Sequence, residues 1–519
     1  MAMPRRAAKR PESCARAGRL GVLAIALFAA QGAPAQTVRI TPSVDTRLTW
    51  TDNVGKSDDD RRADWIAEVA PGIEISRDSG RFNGSLRARL RNVAYAEERG
   101  RSKSFVALSG RGEIEAVERL LFVDLGASIS RNNLSAFSGA SSADDVNVAE
   151  ESEVRTWTLA PRLEFSAGDV RGILRYLARW LEGGGGALSG QRLGEWTLQL
   201  SDPGYGRLFG WGVDYRHGRT EYDDRAFGEV TEAAGRATLF VNLSPQFRLR
   251  AIGGHEANEY SNGGTERGAI YGGGFDWYPN ERLAISALTE ERFFGRGYHF
   301  SLNYRRPQST WNLIYSKDVS SSLRTLGGGI FEDPLFLQFY NAPEVIAQLP
   351  DAAQREAFVR QLLGYPSTGM TDAIRSNSYF LQRSFGAGFT LQGVRNVLSF
   401  SVRRSDRDSL GSISGLSAED DFAISSRIKT NSATVTLSHR LSGISSLNLS
   451  ATRSHTDGSS SGGGRAPETR RLLISVGMTT QLGARTFGGL NYRHQRADGS
   501  GGGNDFTENA VIANLGMQF

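Results

Sequence analysis

Apolar and polar residues alternate one for one along most of the chain, and stretches with helical spacing are scarce. Phe82-Asn83-Gly84-Ser85-Leu86-Arg87-Ala88-Arg89-Leu90-Arg91 is one clear case, and Phe209-Gly210-Trp211-Gly212-Val213-Asp214-Tyr215-Arg216 is another. Gln191 to Leu200 and Ala269 to Trp277 behave alike. Successive side chains of a strand point to opposite faces, so each segment predicts a strand with one apolar face and one polar or glycine face.

The connections sharpen this picture. Short turns fall near 77–80, 117–119, 167–169, 201–204, 244–246, 279–281, 306–308, 393–395, 441–443 and 482–483. Long polar loops lie between them, at 52–63, 131–152, 182–190, 217–227, 256–266, 318–377, 404–428, 453–469 and 494–506. Short turns at one end and long loops at the other are the organisation of a transmembrane β-barrel. A soluble sandwich or propeller also alternates, but its outer faces meet water and would not carry an apolar face on nearly every strand. The expected fold is all-β: a transmembrane antiparallel up-and-down β-barrel of about 22 strands, within 18 to 24. Trp50, Trp65, Tyr95, Trp180, Trp277, Tyr278, Tyr304, Trp311 and Tyr492 sit near strand ends, as interfacial girdles require.

The two ends of the chain place such a barrel. Basic residues Arg5, Arg6, Lys9, Arg10, Arg16 and Arg19 precede an apolar run from Leu20 to Ala30, and Ala33-Pro34-Ala35 supplies a small-residue cleavage site. The run is too short to span a bilayer as a helix, so residues 1–35 read as a secretory signal and 36–519 as the barrel. That leader holds six basic residues and one acidic residue, leaving 55 of each from the totals of 61 and 56. The net charge of +5 therefore belongs to the leader, and no nucleic-acid partner follows from it. Cys14, the one cysteine, is also there, so residues 36–519 have no disulfide, thiolate metal site or cysteine nucleophile. At the other end, Val511, Ala513, Leu515, Met517 and Phe519 share one strand face. A terminal Phe closing such a strand is the kind of signal that outer-membrane barrel-assembly machinery reads, so Leu515, Met517 and Phe519 are the candidate assembly signal. The expected surroundings are outer-membrane lipid and lipopolysaccharide.

The segment Ile40-Thr41-Pro42-Ser43, followed by Thr51-Asp52-Asn53-Val54 at the end of the same predicted strand, resembles the opening of a known family. This is the PEP-CTERM system-associated outer-membrane β-barrel family, of porin type. The specific motif covers 15 residues; the length, the helix-bearing loop in the second half and the terminal Phe match the architecture. The resemblance implies a bacterium that sorts proteins through an exosortase and makes exopolysaccharide. It supplies no catalytic residue.

With apolar faces toward lipid, their alternates line the lumen. Arg87, Arg89 and Arg91 then share one strand, Arg171, Arg175 and Arg179 a second, and Arg248 and Arg250 a third, with Glu113, Glu115, Asp124 and Glu195 also inward. Two readings stand side by side. Guanidinium rows can bind an anionic solute or an acidic polysaccharide bidentately, or they can pair with carboxylates of neighbouring strands and stiffen the wall.

So many strands enclose a wide lumen that leaks if empty. The loop at 318–377 is the candidate occluder. It contains Phe331, Leu335 and Phe336, then a predicted helix from Asp351 to Leu363 with Phe358, Val359 and Leu362 on one stripe. Such a segment either folds into the pore as a constriction or caps the surface loops. Acidic runs (Asp58 to Asp60, Asp144 and Asp145, Glu150 and Glu151, Asp223 and Asp224) read as solvated loop charge before they read as calcium or lipopolysaccharide sites. The spacing His299-x-Ser301 resembles a barrel phospholipase, but alternation turns both residues inward and the nucleophile context is absent. No cofactor or metal ligand set stands out. The expectation is a non-enzymatic outer-membrane channel for solute passage or exopolysaccharide export, with a non-conducting envelope component as the alternative and a barrel hydrolase as a distant one.

Overall fold

The computed structural model describes residues 38–132, 135–137, 152–183, 188–224, 228–260, 265–327, 336, 340, 355–356, 359–360, 374–410, 416–417, 420–459, 466–500 and 505–519. The expected leader lies outside the described residues.

Twenty-two strands follow one another along the chain. They are β1 (Arg39–Thr51), β2 (Asp64–Ser79), β3 (Phe82–Tyr95), β4 (Lys103–Val117), β5 (Leu121–Asn132), β6 (Ser152–Ala167), β7 (Val170–Gly183) and β8 (Gln191–Asp202). Next come β9 (Phe209–Tyr222), β10 (Glu229–Ser244), β11 (Phe247–Glu259), β12 (Thr265–Asn280), β13 (Leu283–Arg292), β14 (Gly295–Arg306) and β15 (Ser309–Ser321). The rest are β16 (Tyr379–Gln392), β17 (Asn396–Ser409), β18 (Arg427–Arg440), β19 (Ser445–Gly458), β20 (Glu468–Gly483), β21 (Thr486–Ser500) and β22 (Phe506–Gln518). Among the described residues, short helices include α1 (Ser322–Gly327) and α2 (Asp421–Ile424).

Each strand pairs antiparallel with the next, and β1 closes on β22 from Ser43↔Gln518 to Thr51↔Ala510. Closure leaves no unpaired edge, which is the condition for crossing a bilayer with strands. The outer face is apolar. Trp65, Val69 and Ile73 on β2, Phe209, Trp211, Val213 and Tyr215 on β9, and Val511, Leu515 and Met517 on β22 all stand exposed at alternate positions. Transferring that belt from water to lipid is favourable by about 25 cal/mol per Å².

The ten short turns predicted between strands all occur at one end, several with only two residues, such as 80–81 and 307–308. At the other end the strands run further than their sequence suggested: β9 continues through 217–222, β17 through 404–409 and β19 through 453–458. Both faces of these extensions meet water or loops, so the apolar alternation that marks a strand disappears while the hydrogen-bond ladder continues. The long loop correspondingly begins at 322, after β15, and ends at 378. The connection at 293–294 has only two residues, which leaves the β13–β14 hairpin low at the long-loop end. Tyr95 belongs to no girdle; it points inward and is buried with Val54, Ile66 and Val93.

Candidate functional site

From strand spacing and the tilt usual for barrels, 22 strands in a round ring would stand roughly 40 Å apart across the axis, backbone to backbone. What fills that space is legible strand by strand.

On the wall, inward arginines meet inward carboxylates. Arg87 pairs with Glu74 at 3.2 Å, Arg89 with Asp45 at 3.4 Å, and Arg91 with Glu68 at 2.9 Å. Arg175 lies 3.9 Å from Asp124, which also holds Arg162 at 3.0 Å. Arg179 is buried and reaches Thr158 at 3.4 Å. Arg248 and Arg250 converge on Asp276, at 2.6 Å and 2.7 Å, and Ser286 donates to the same carboxylate at 2.9 Å. Arg171 stands exposed near the short-turn end with no partner among the described residues. The pairing reading therefore describes six of the eight arginines, with Arg179 bonded to a hydroxyl instead. Gly274 lies opposite Arg250, and a Cβ there would meet the Ala287 carbonyl at 2.2 Å, so only glycine fits this crowded wall. Asp276 was missed because a lone acid in a glycine-rich strand gives little signal, although alternation from Trp277 places it inward.

At the long-loop end, the wall is crossed. α1 leaves the top of β15 and packs Leu323 and Leu326 against Val154, Leu177, Leu181 and Leu193. These are inner-face residues of β6, β7 and β8, as much as nine strands from β15 round the ring. Arg324 on the same helix bridges Glu195 of β8 at 3.1 Å and Glu232 of β10 at 2.6 Å. Glu195, expected in the lumen, thus serves the helix that enters it.

The tops of β15 and β16 lean the same way. Alternation from Trp311 and Phe389 puts Val319, Leu381 and Tyr379 on the outer face. They are instead buried against Val230, Tyr222 and Tyr260, with Phe293 and Phe294 beside them. Tyr222, Val230 and Tyr260 are inner-face positions at the tops of β9 to β11. Tyr379 Oη lies 2.8 Å from Thr220 Oγ1 of β9. The low β13–β14 hairpin leaves the gap over which the β15–β16 pair bends inward.

The long loop also goes deeper. Tyr340 is buried, stacks on Phe336 at 5.5 Å, and accepts a 3.0 Å hydrogen bond from Arg111. Arg111 lies eight residues below the top of β4, which starts at Lys103. At about 3.3 Å per residue and the usual tilt, that is on the order of 20 Å down the wall. Of the candidate constriction residues, Phe336 is wholly buried; Phe331, Leu335, Phe358 and Leu362 lie outside the described residues. Residues 355–356 and 359–360 are helical, within the helix predicted for 351–363, and Val359 is buried.

A knot of loops holds this lid. The Asp421 carboxylate accepts from the Ser135 hydroxyl at 2.6 Å and from the N–H groups of Ala136 at 2.8 Å and Arg375 at 3.0 Å. Asp420 caps α2 through the Phe422 N–H at 2.9 Å and accepts from the Asn377 N–H at 3.0 Å. The Asn377 side chain in turn accepts from Ser189 N–H at 3.1 Å and Gln191 Nε2 at 3.2 Å. Phe137, Ile374, Phe380, Phe422 and Ile428 pack together beneath. Segments following β5, β7, β15 and β17 are thereby joined across the mouth. Burial pushes the Asp421 carboxyl up to about 6. No spacing in the sequence announces this knot; its one local sign is the Asp420 helix cap.

The remaining candidates separate plainly. The loop acids are engaged by neighbours: Asp60 with Arg62 at 3.0 Å, Asp223 with Arg192 at 3.3 Å, and Asp58 with the Thr507 N–H at 3.1 Å. Asp144, Asp145, Glu150 and Glu151 lie outside the described residues. His299 and Ser301 make no hydrogen bond to one another among the described residues. His455, Asp457 and Glu468 come within 4.8 Å on the outer rim of β19 and β20, but Arg470 already occupies Glu468 at 2.6 Å. Leu515, Met517 and Phe519 stand exposed on the outer face of β22 and just beyond it, and the Phe519 N–H donates to Pro42 of β1 at 2.9 Å.

No protein-family model and no curated protein matches the chain. Among solved structures it is similar to the siderophore receptor PirA from Pseudomonas aeruginosa, with 10% identity over 93% of this chain and 81% of that one and a TM-score of 0.45. It is also similar to the FrpB iron transporter from Neisseria meningitidis, with 10% identity over 92% and 82% of the two chains and a TM-score of 0.49. A third likeness is to OccK3 (OpdO) from Pseudomonas aeruginosa, with 10% identity over 92% and 96% and a TM-score of 0.33. All three scores fall below 0.5, so what passes through the barrel has to be read from the chain's own residues.

Proposed function

We propose that the protein is an outer-membrane channel whose lumen is closed at the long-loop end by its own chain. The short-turn end is then periplasmic and the lid extracellular. The observation that carries this reading is α1, which leaves β15 and seats on the inner faces of β6 to β8, with half-buried Arg324 held between Glu195 and Glu232. A surface cap would rest on loops; this segment occupies the bore. Because most inward arginines are paired, passage is governed by the lid more than by a free cationic wall. The cargo that suits so wide a barrel is a bulky polar chain or solute, and the resemblance of its first strand favours an exported polysaccharide.

A second reading has support from the same contacts. Four loop segments tied through Asp420 and Asp421 would also suit a permanently filled barrel acting as an envelope component. Liposome swelling separates the two. Vesicles bearing the full chain should exclude sugars that enter vesicles bearing a chain with Arg324 replaced by Ala and residues 328–373 replaced by a short glycine-serine linker. Equal exclusion by both barrels, each shown to be inserted, would refute the channel reading.

A further inference from the structure

On the outer face of β17 to β19, three cations stand free just above the apolar belt. Arg404 follows exposed Phe400 and half-buried Val402 on β17, Lys429 lies six residues above exposed Val435 on β18, and Arg453 lies two above Ala451 on β19. Register sets them side by side: Arg404 opposes Asn431, Lys429 opposes Asp457, and Ala433 opposes Arg453. From sheet spacing, their Cα atoms lie roughly 8 to 14 Å apart. None makes a hydrogen bond or salt bridge with another described residue. The nearby acids are already taken: Asp406 by Arg427 at 2.8 Å and by Arg383 at 3.4 Å, and Asp457 by His455 at 2.7 Å.

The height of this group is fixed by its neighbours. Arg404 opposes Phe385, whose ring meets Tyr315 at 6.5 Å, and Tyr315 stacks on Tyr298 at 4.5 Å. Stacked aromatic rings of this kind mark the lipid–water interface. An unpaired arginine facing lipid is strongly unfavourable at the bilayer midplane and costs close to nothing at the interface, where anions are at hand. Several other outer-rim cations are matched: Arg155 with Glu153 at 2.6 Å, Arg192 with Asp223 at 3.3 Å, and Arg219 with Glu229 at 2.7 Å.

We propose that Arg404, Lys429 and Arg453 form a binding site for the diphosphorylated glucosamine headgroup of lipid A in the outer leaflet. The site rests on the outer-membrane reading above. Two phosphates on one rigid disaccharide match three cations spread across three strands, and guanidinium groups bind phosphate oxygens bidentately. The acyl chains would lie over Phe400, Val435 and Ala451 below.

The test uses the chain of residues 36–519 in detergent, titrated with diphosphoryl lipid A and read by native mass spectrometry and thermal melting. The triple variant Arg404→Gln, Lys429→Gln, Arg453→Gln should lose at least tenfold in lipid A affinity. A control variant Arg155→Gln, Arg192→Gln, Arg219→Gln should bind as the native chain does, and monophosphoryl lipid A should bind the native chain more weakly. Equal affinity of native and triple-variant chains, or equal binding of the two lipids or of phosphatidylglycerol, would overturn the site. Should the triple variant not fold, Arg404→Gln and Lys429→Gln singly are read by the same titration, each expected to weaken binding severalfold. Insertion into phosphatidylcholine vesicles, scored by heat-modifiable migration, is measured separately. Failure there would refute the membrane reading itself, whereas insertion without a lipid A preference would refute only the site.

Discussion

Replacing Arg324 with Ala strikes the lid without touching the barrel ladder. The guanidinium is enclosed between Glu195 at 3.1 Å and Glu232 at 2.6 Å, on a helix whose Leu323 is wholly buried. Removing the shared cation of a largely buried bridge costs about 3–5 kcal/mol, because two poorly hydrated carboxylates are left without their cation. Those carboxylates regain water only when α1 lifts from β6 to β8, so the penalty falls on the closed state. At the lower figure, about 3 kcal/mol shifts a two-state equilibrium by roughly 150-fold. A lid open for roughly 0.1% of the time would then be open for roughly 13%. Single-channel recording in a planar bilayer reads this as open probability, with unitary conductance unchanged because the bore is the same. Equal open probability in native and Arg324→Ala barrels, both shown to be inserted, would refute the assignment of α1 as the closing element.

Two further outcomes are expected. Asp276→Asn leaves Arg248 and Arg250 sharing a neutral side chain; the barrel should lose about 3 kcal/mol of stability in urea titration, and the reversal potential should shift toward anions. Asp421, raised from 3.8 to about 6 by burial, binds its proton more tightly in the closed knot than in the opened one. The knot's stability is therefore fullest below about pH 4 and falls by roughly 3 kcal/mol as pH rises through 6. Amide protection factors at 135–137 and 374–378, taken relative to intrinsic exchange at each pH, should be higher at pH 4.5 than at 7.5, and Asp421→Asn should flatten that difference.

Much of the fold was legible because a bilayer imposes a simple rule on a strand. Trp211, Val213 and Tyr215 must alternate with Gly210, Gly212 and Asp214, and each short turn must punctuate the pattern, so about 22 strands could be counted. The strand ends were less legible. Arg404 to Ser409 and Arg453 to Gly458 keep their ladders beyond the lipid, where no apolar face is required. Within the site, the inward arginines followed from alternation, but their partners depended on register, which sequence leaves open where several acids lie within reach. The lid was foreshadowed by apolar residues in a polar loop. Its seat was not, since Leu177, Leu181 and Leu193 look like any apolar positions until α1 is found upon them. Val319, Tyr379 and Leu381 were the hardest, because a bend over the short β13–β14 hairpin turns their lipid-side pattern into lumen packing.

The central claim is that the long connection closes an otherwise open bore, and paired planar-bilayer recordings test it most directly. The chain of residues 36–519 should show small or rare currents. The same chain with residues 328–373 excised and Arg324 replaced by Ala should show large, steady ones. Large currents already present in the full chain would contradict the closure, and silence from the excised barrel would contradict the channel.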